Sequence, residues 1–144
     1  GVDVHLAATE GVAAGFDNHP RYHVFQALRD AVSCGRLGRK SGRGFVTPPE
    51  DVEPTEDAAD IVNRIEVMLA NEAVTLWDKT DITEGQIDSA MMLGLNFPHG
   101  PFAIARRLGR ANIRDTLARL RVAAPDALKT RYDAAPGLER LDLT

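Results

Sequence analysis

At 144 residues the chain has the length of one ordinary domain, and its 44% hydrophobic and 26% charged content is that of a soluble globular protein with enough apolar material for a core. No apolar run approaches the roughly 18 residues needed to cross a bilayer, and a formal net charge of -4 argues against a general nucleic-acid binder, which carries a basic excess over one face. A single cysteine, Cys34, excludes an internal disulfide and fits a reducing compartment, so a cytoplasmic setting is expected.

The opening GVDVHLAATEG holds acidic groups and no basic leader, unlike a secretory or transit segment, and with no initiator Met the chain is expected to be a piece of a longer polypeptide. Helical patterning begins at once through Val4, Leu6, Ala7 and Val12 and breaks near Gly15-Phe16-Asp17-Asn18. A second helix is predicted from about Tyr22 to Cys34, because Val24, Phe25, Leu28, Ala31 and Val32 recur at three- and four-residue spacing, and Gly35 is its natural stop. Next comes GRLGRKSGRGF from Gly35 to Phe45, four cations among four glycines in Gly35–Gly44. Glycines let backbone N–H groups converge on an anion, and Arg39, Lys40 and Arg43 could pair with phosphate, as on the nucleotide end of a coenzyme A. The same loop also reads as a plain turn whose cations face water.

After Phe45, TPPEDVEPTED has three prolines and five acids with almost no apolar content and is read as a linker. The longest periodic run follows, from about Glu56 to Thr80, roughly 36 Å at ~1.5 Å per residue. Ile61, Ile65, Met68, Leu69, Leu76 and Trp77 form its predicted core stripe, with Val67, Ala70 and Val74 on the other side; a helix apolar on two faces suits a core and a repeat or subunit contact. Glu72 falls near the centre of that stripe and is expected to accept from backbone N–H groups of a loop or a helix start, such as that around Gly100, as a structural tie. Thr83 and Gln86 have capping-box spacing and should start a short helix through Leu93, closed by Gly94. Pro101 suits a first helical turn, and that helix should end at Gly109. From Gly109 the sequence GRANIRDTLARL follows the glycine-to-leucine spacing of the opening GVDVHLAATEGV.

No set of titratable residues makes a site by spacing. His5, His19, His23 and His99 lack Cys, Asp or Glu partners at metal-site distance, so no metal is expected. Gly42-Arg43-Gly44 is followed by Phe45-Val46-Thr47 and two prolines, which cannot open the helix of a dinucleotide fingerprint.

Taken together, GRLGRKSGRGF and the segment MMLGLNFPHGPFAIARRLG from Met91 to Gly109 resemble the C-terminal all-helical domain of the L-3-hydroxyacyl-CoA dehydrogenases. GVDVHLAATEGVAAGF at the start and IVNRIEVMLANEAV from Ile61 to Val74 are similar to further helices of that domain. The resemblance implies an all-α chain of the 6-phosphogluconate dehydrogenase C-terminal-like type, in a member with two copies in tandem. Residues 1–46 would be a partial first repeat ending in the Gly/Arg loop, 47–56 a linker, and 57–144 a second repeat. It also implies an oxidoreductase of fatty-acid or short-chain acyl-CoA metabolism, as in β-oxidation, that interconverts 3-hydroxyacyl-CoA and 3-ketoacyl-CoA. NAD and the catalytic His would be bound outside this chain, and the helical region would form a homodimer, with no nucleic acid or membrane as partner. The isolated chain would then be inactive; the alternative is a helical dimerisation or CoA-binding module with no chemistry. One family residue carries over. Val62-Asn63-Arg64 matches the family's V-N-R triplet, so Asn63 would hydrogen-bond a reacting oxygen or orient a base, or, in a second repeat, be a relic of a site the first repeat supplies. His99 stands in FPHGP where the family more often has methionine.

Overall fold

A computed structural model of the chain describes residues 1–46 and 55–142. The linker expected at 47–56 falls, except for Thr55 and Glu56, outside these. Helices and turns account for the described architecture, and no strand occurs among the described residues. The chain is therefore all-α, and it divides into two compact units, Gly1–Glu53 and Pro54–Thr144.

The first unit opens with helix α1, Val2–Gly15. It ends where the sequence breaks: Asp17 and Asn18 both take positive φ, a conformation that short polar side chains tolerate, and Asn18 N–H returns to the Ala13 carbonyl at 2.8 Å. The second helix is shorter than its apolar spacing predicts. Pro20–Tyr22 forms a 3-10 turn whose Arg21 N–H donates to His19 Nδ1 at 3.2 Å, and the chain is extended at His23 and Phe25 before helix α2, Gln26–Ser33. Val24 and Phe25 thus lie outside the helix. Its end matches expectation: Gly35 has φ +69°, and Gly35 and Arg36 N–H bond back to the Val32 and Ala31 carbonyls, the paired closure of a helix that ends on a left-handed residue. Arg29 pairs with Glu10 between the two helices, and Phe16 stacks on Tyr22 with ring centroids 4.3 Å apart. Ala13 and Ala31 are the buried residues among those described in this unit.

The second unit is built on helix α3, Ala58–Lys79. Helices α4 (Glu84–Leu95), α5 (Pro101–Leu108) and α6 (Arg110–Ala123) follow, then 3-10 turns Asp126–Tyr132 and Pro136–Glu139. The predicted face of α3 is reversed. Val67, Ala70, Ala73 and Val74 are buried with Phe102, Ile113, Leu117, Leu138 and Leu141, whereas Ile61, Ile65 and Leu76 are 47%, 61% and 44% exposed. Small residues at 70 and 73 let α5 and the last 3-10 turn approach the backbone of α3, and that close approach, rather than side-chain bulk, selects the buried face. Met68 and Trp77 pack at the edge of this core, Trp77 edge-on to Phe102 at 6.2 Å.

Thr83 caps α4 as its spacing predicts: Thr83 Oγ1 accepts from Gln86 N–H at 3.3 Å, and Gln86 Oε1 accepts from Thr83 N–H at 2.9 Å. Replacing Thr83 with Ala removes one bond of that pair and should cost about 1 kcal/mol in urea unfolding followed by the fluorescence of Trp77, the chain's one tryptophan. The far end of α4 departs from the reading. Gly94 remains helical, and the stop is Asn96 with φ 55° and ψ 36°.

Pro101 does occupy the first turn of α5, and Gly109, with φ 76° and ψ 152°, is the single residue between α5 and α6. Such angles are accessible essentially to glycine alone. A carboxylate does tie the chain just after Gly100. Asp88 on α4 accepts from Phe102 N–H at 2.8 Å and from Ala103 N–H at 3.3 Å, holding the start of α5; Glu72 itself is half-buried. A second carboxylate, Asp78, caps the turn at Gly137 and pairs with Arg140, whose guanidinium lies 5.3 Å from the Trp77 ring centre.

Candidate functional site

Asn63 sits in the second turn of α3, half-buried, and its side chain is part of a closed ring. Asn63 Nδ2 donates to Thr116 Oγ1, Thr116 Oγ1 donates to Asn112 Oδ1, and Asn112 Nδ2 donates to Asn63 Oδ1, each at 3.1 Å. Thr116 is 3% exposed and Asn112 is exposed, so the ring runs from the core to the surface between α3 and α6. Helical geometry puts Asn112 and Thr116 on one face, four residues apart, opposite Asn63. Bonds in a closed chain polarise one another and couple the two amides, so that neither turns over without the other. A primary amide has two N–H groups and an oxygen with two lone pairs. The ring uses one N–H and one lone pair of Asn63 and leaves the others for a further partner. Sequence reading singled out Asn63 and missed Asn112 and Thr116, since nothing local signals a bond between residues 49 and 53 positions apart.

The basic loop is a tightly closed turn. Gly38 and Arg43 pair antiparallel, Gly38 N–H donating to the Arg43 carbonyl at 2.6 Å, with a 3-10 turn at Arg39–Ser41 between them. Gly38 and Gly42 take φ +94° and +69°, which explains their glycines. Several of the turn's N–H groups are taken by its own atoms: Leu37 donates to Ser41 Oγ, Ser41 to the Gly38 carbonyl and Gly42 to the Arg39 carbonyl. An anion here would also meet the cationic side chains. Lys40 is already paired with Asp3, while Arg39 and Arg43 are exposed and, among the described residues, in no ion pair. The Lys40 ammonium beside Asp3 holds that carboxyl below the usual carboxylate range. A depressed folded-state pKa steadies the fold above the unfolded value and is lost as the pH falls through the folded one. Asp3→Asn should accordingly remove an acid-side loss of helicity, about pH 4 and below, in a circular-dichroism titration of the chain.

The remaining candidates do not assemble. Among the described residues no group of three His, Cys, Asp or Glu could hold a metal ion, and Cys34 is an exposed free thiol at the end of α2. An open groove at the α3–α4 turn is lined by Trp77, Thr80, Asp81, Ile82, Thr83, Glu84 and Gly85 and does not include Asn63. The residues present do not fit a nicotinamide dinucleotide: Gly42-Arg43-Gly44 belongs to the closed turn and opens no helix, and no strand precedes it among the described residues. No described helix is long and apolar enough to cross a membrane.

The family described as 3-hydroxyacyl-CoA dehydrogenase, C-terminal domain, matches residues 61–142, more than half of the chain and nearly all of the second unit. The chain belongs to this family. A 3-hydroxybutyryl-CoA dehydrogenase of Clostridioides difficile is 33% identical over 90 residues, which are 62% of this chain and 31% of that protein. The mitochondrial hydroxyacyl-coenzyme A dehydrogenase of Sus scrofa is 43% identical over 49 residues, 34% of this chain and 16% of the relative. The 3-hydroxyadipyl-CoA dehydrogenase of Escherichia coli (strain K12) is 38% identical over 60 residues, 42% of this chain and 13% of the relative. The chain thus spans about a third or less of the length of these relatives. No solved structure matches it. Within the 3-hydroxyacyl-CoA dehydrogenase C-terminal domain, the matched stretch contains α3 from Ile61, the Asn63 ring, the Asp88 tie and the joint at Gly109.

Proposed function

We propose that this chain is the C-terminal, substrate-facing and dimer-forming region of an NAD-dependent 3-hydroxyacyl-CoA dehydrogenase of cytoplasmic fatty-acid or short-chain acyl-CoA metabolism. The nicotinamide cofactor and the catalytic His belong, in this reading, to residues outside the chain, and no hydride step is carried by the residues described here. The observation that supports it most is the family match over the second unit, with relatives whose names describe dehydrogenases of 3-hydroxyacyl-CoA thioesters. Asn63 is the residue through which the region reaches the reacting end of the acyl group, its spare amide N–H donating to a carbonyl oxygen of the thioester substrate. Taken by itself, the first unit offers Arg39 and Arg43, joined by Lys40 when it leaves Asp3, to the phosphates of a coenzyme A.

The tandem-repeat organisation, with residues 1–46 as a partial first copy, 47–56 as the linker and 57–144 as the second copy, is proposed as well; the proposal takes Asn63 to keep its contact in the second copy, the alternative being that it is a relic of a site the first copy supplies. Two observations support the repeat. Helices α1 and α6 each have 14 residues and each follows a glycine, Gly1 and Gly109. Each is succeeded by a 3-10 turn that ends on an Arg-Tyr pair, Arg21-Tyr22 and Arg131-Tyr132. The second reading, a helical dimerisation or CoA-binding module without chemistry, is favoured by the exposed apolar side chains of α3, Ile61, Val62 and Ile65.

Incubating the 144-residue chain with acetoacetyl-CoA and NADH should give no change in nicotinamide absorbance. Clear turnover would overturn the placement of the hydride site outside it. Calorimetric titration with coenzyme A should show binding that weakens at least about tenfold in Arg39→Ala/Arg43→Ala, the scale of one or two bonds to charged groups at ~1.5–3 kcal/mol each. Unchanged affinity would remove the loop from the site.

A further inference from the structure

We infer that Asn112 and Thr116 are positioning residues for Asn63: their side chains fix the orientation of its amide so that one N–H is presented to the acyl group of a 3-ketoacyl-CoA. The inference rests on the proposed contact between Asn63 and the substrate and adds residues that the V-N-R triplet does not contain.

Three features of the ring support it. First, it is directional, since every member donates once and accepts once around the loop, so turning one amide over would set donor against donor or acceptor against acceptor at two contacts. Second, it is anchored, because Thr116 is 3% exposed on the same helix as the fully buried Ile113 and the 1% exposed Leu117 and cannot move without them. Third, its open end is wet: Asn112 is exposed and Asn63 half-buried, which leaves the spare amide N–H of Asn63 within reach of a ligand. A surface asparagine left to itself populates several rotamers and both amide orientations. Because a hydroxyl both donates and accepts, the Asn63 amide can turn over only in concert with that of Asn112, and this coupling restrains it far more than solvent would, which is how supporting groups raise the effectiveness of a contact residue.

Side-chain amide NMR of the 144-residue chain, with acetoacetyl-CoA as the probe, tests this. In the native sequence one Asn63 Nδ2 proton should exchange slowly with solvent, through its bond to Thr116, and the other should shift when acetoacetyl-CoA is added. In Thr116→Val, nearly the same shape without the hydroxyl, slow exchange should vanish and the ligand-induced shift should fall to less than a third, while the backbone spectrum stays that of the folded chain. Thr116→Ser restores the hydroxyl and should restore both signals. Asn112→Asp, which keeps the acceptor for Thr116 and removes the donor to Asn63, provides a second variant at an exposed position, and it too should abolish the shift. A full ligand-induced shift in Thr116→Val, or equal loss in Thr116→Ser, would overturn the positioning role. An Asn63 amide that ignores acetoacetyl-CoA in the native chain would overturn the contact itself, and is told apart by the unaltered slow proton.

Discussion

Replacing Asn71 with Ala should destabilise the second unit by about 2–4 kcal/mol, because the buried Ala135 N–H and the Asp133 carbonyl would lose their described partner at once, in a side chain that is itself buried. Asn71 is 3% exposed on α3; its Nδ2 donates to the Asp133 carbonyl at 3.0 Å and its Oδ1 accepts from Ala135 N–H at 2.8 Å. The extended segment that joins the last two 3-10 turns is thereby stitched to the long helix as though an extra strand residue faced it. Leu138 and Leu141, each 1% exposed, follow directly and complete the core. Urea unfolding monitored at Trp77 measures the loss. Asn71→Asp gives the sharper result, since a carboxylate accepts from Ala135 but cannot donate to the Asp133 carbonyl. Its neutral form can do both, so the fold favours the protonated acid and raises its pKa. The variant should approach native stability at acid pH and lose it as the pH rises through that raised value. A pH-independent deficit would mean that the side chain's volume, and not its hydrogen bonds, matters.

The second large effect is expected at Gly100→Ala. A Cβ there would overlap the Asp88 Cγ and Cβ, although φ -72° and ψ 158° suit any residue. Asp88 would have to leave, releasing Phe102 and Ala103 N–H at the start of α5 and loosening Phe102, which is completely buried against Trp77. The cost should be about 2–4 kcal/mol, a lost helix cap plus disturbed packing. A double-mutant cycle separates the causes: in an Asp88→Gly background both crowding atoms are gone, and Gly100→Ala should then cost far less than it does with Asp88 in place. Additive losses would show that the crowding at Asp88 is not the reason for the glycine.

What the sequence displayed and what it hid divide along the distance over which the responsible forces act. The stop at Gly35, the Thr83–Gln86 cap, the Pro101 start and the Gly109 end are set within a few residues, and each lies where the local chemistry put it. The buried side of α3 was misread because apolar bulk was taken as the guide, whereas α5 needs alanines at 70 and 73 to approach closely and leaves Ile61 and Ile65 outside. The carboxylate tie behind Gly100 is supplied by Asp88 on α4, which the sequence does not single out, because helical spacing places a residue on a face and cannot say which acid a loop will meet. Likewise the triplet at 62–64 pointed to Asn63, and the hydroxyl and amide that bind it lie on a helix 49 to 53 residues later. Family likeness supplied the fold and the family, and only the folded chain shows which side chains hold Asn63.

Gly109 carries a mechanical consequence for that ring. As a one-residue elbow with angles other amino acids avoid, it alone sets the direction in which α6 leaves α5. Thr116 lies seven residues beyond, about 10 Å along the axis at ~1.5 Å per residue, so a turn of about 6° at the elbow swings its hydroxyl by about 1 Å. The geometry around Asn63 therefore answers to one pair of backbone torsions as well as to the burial of Ile113 and Leu117.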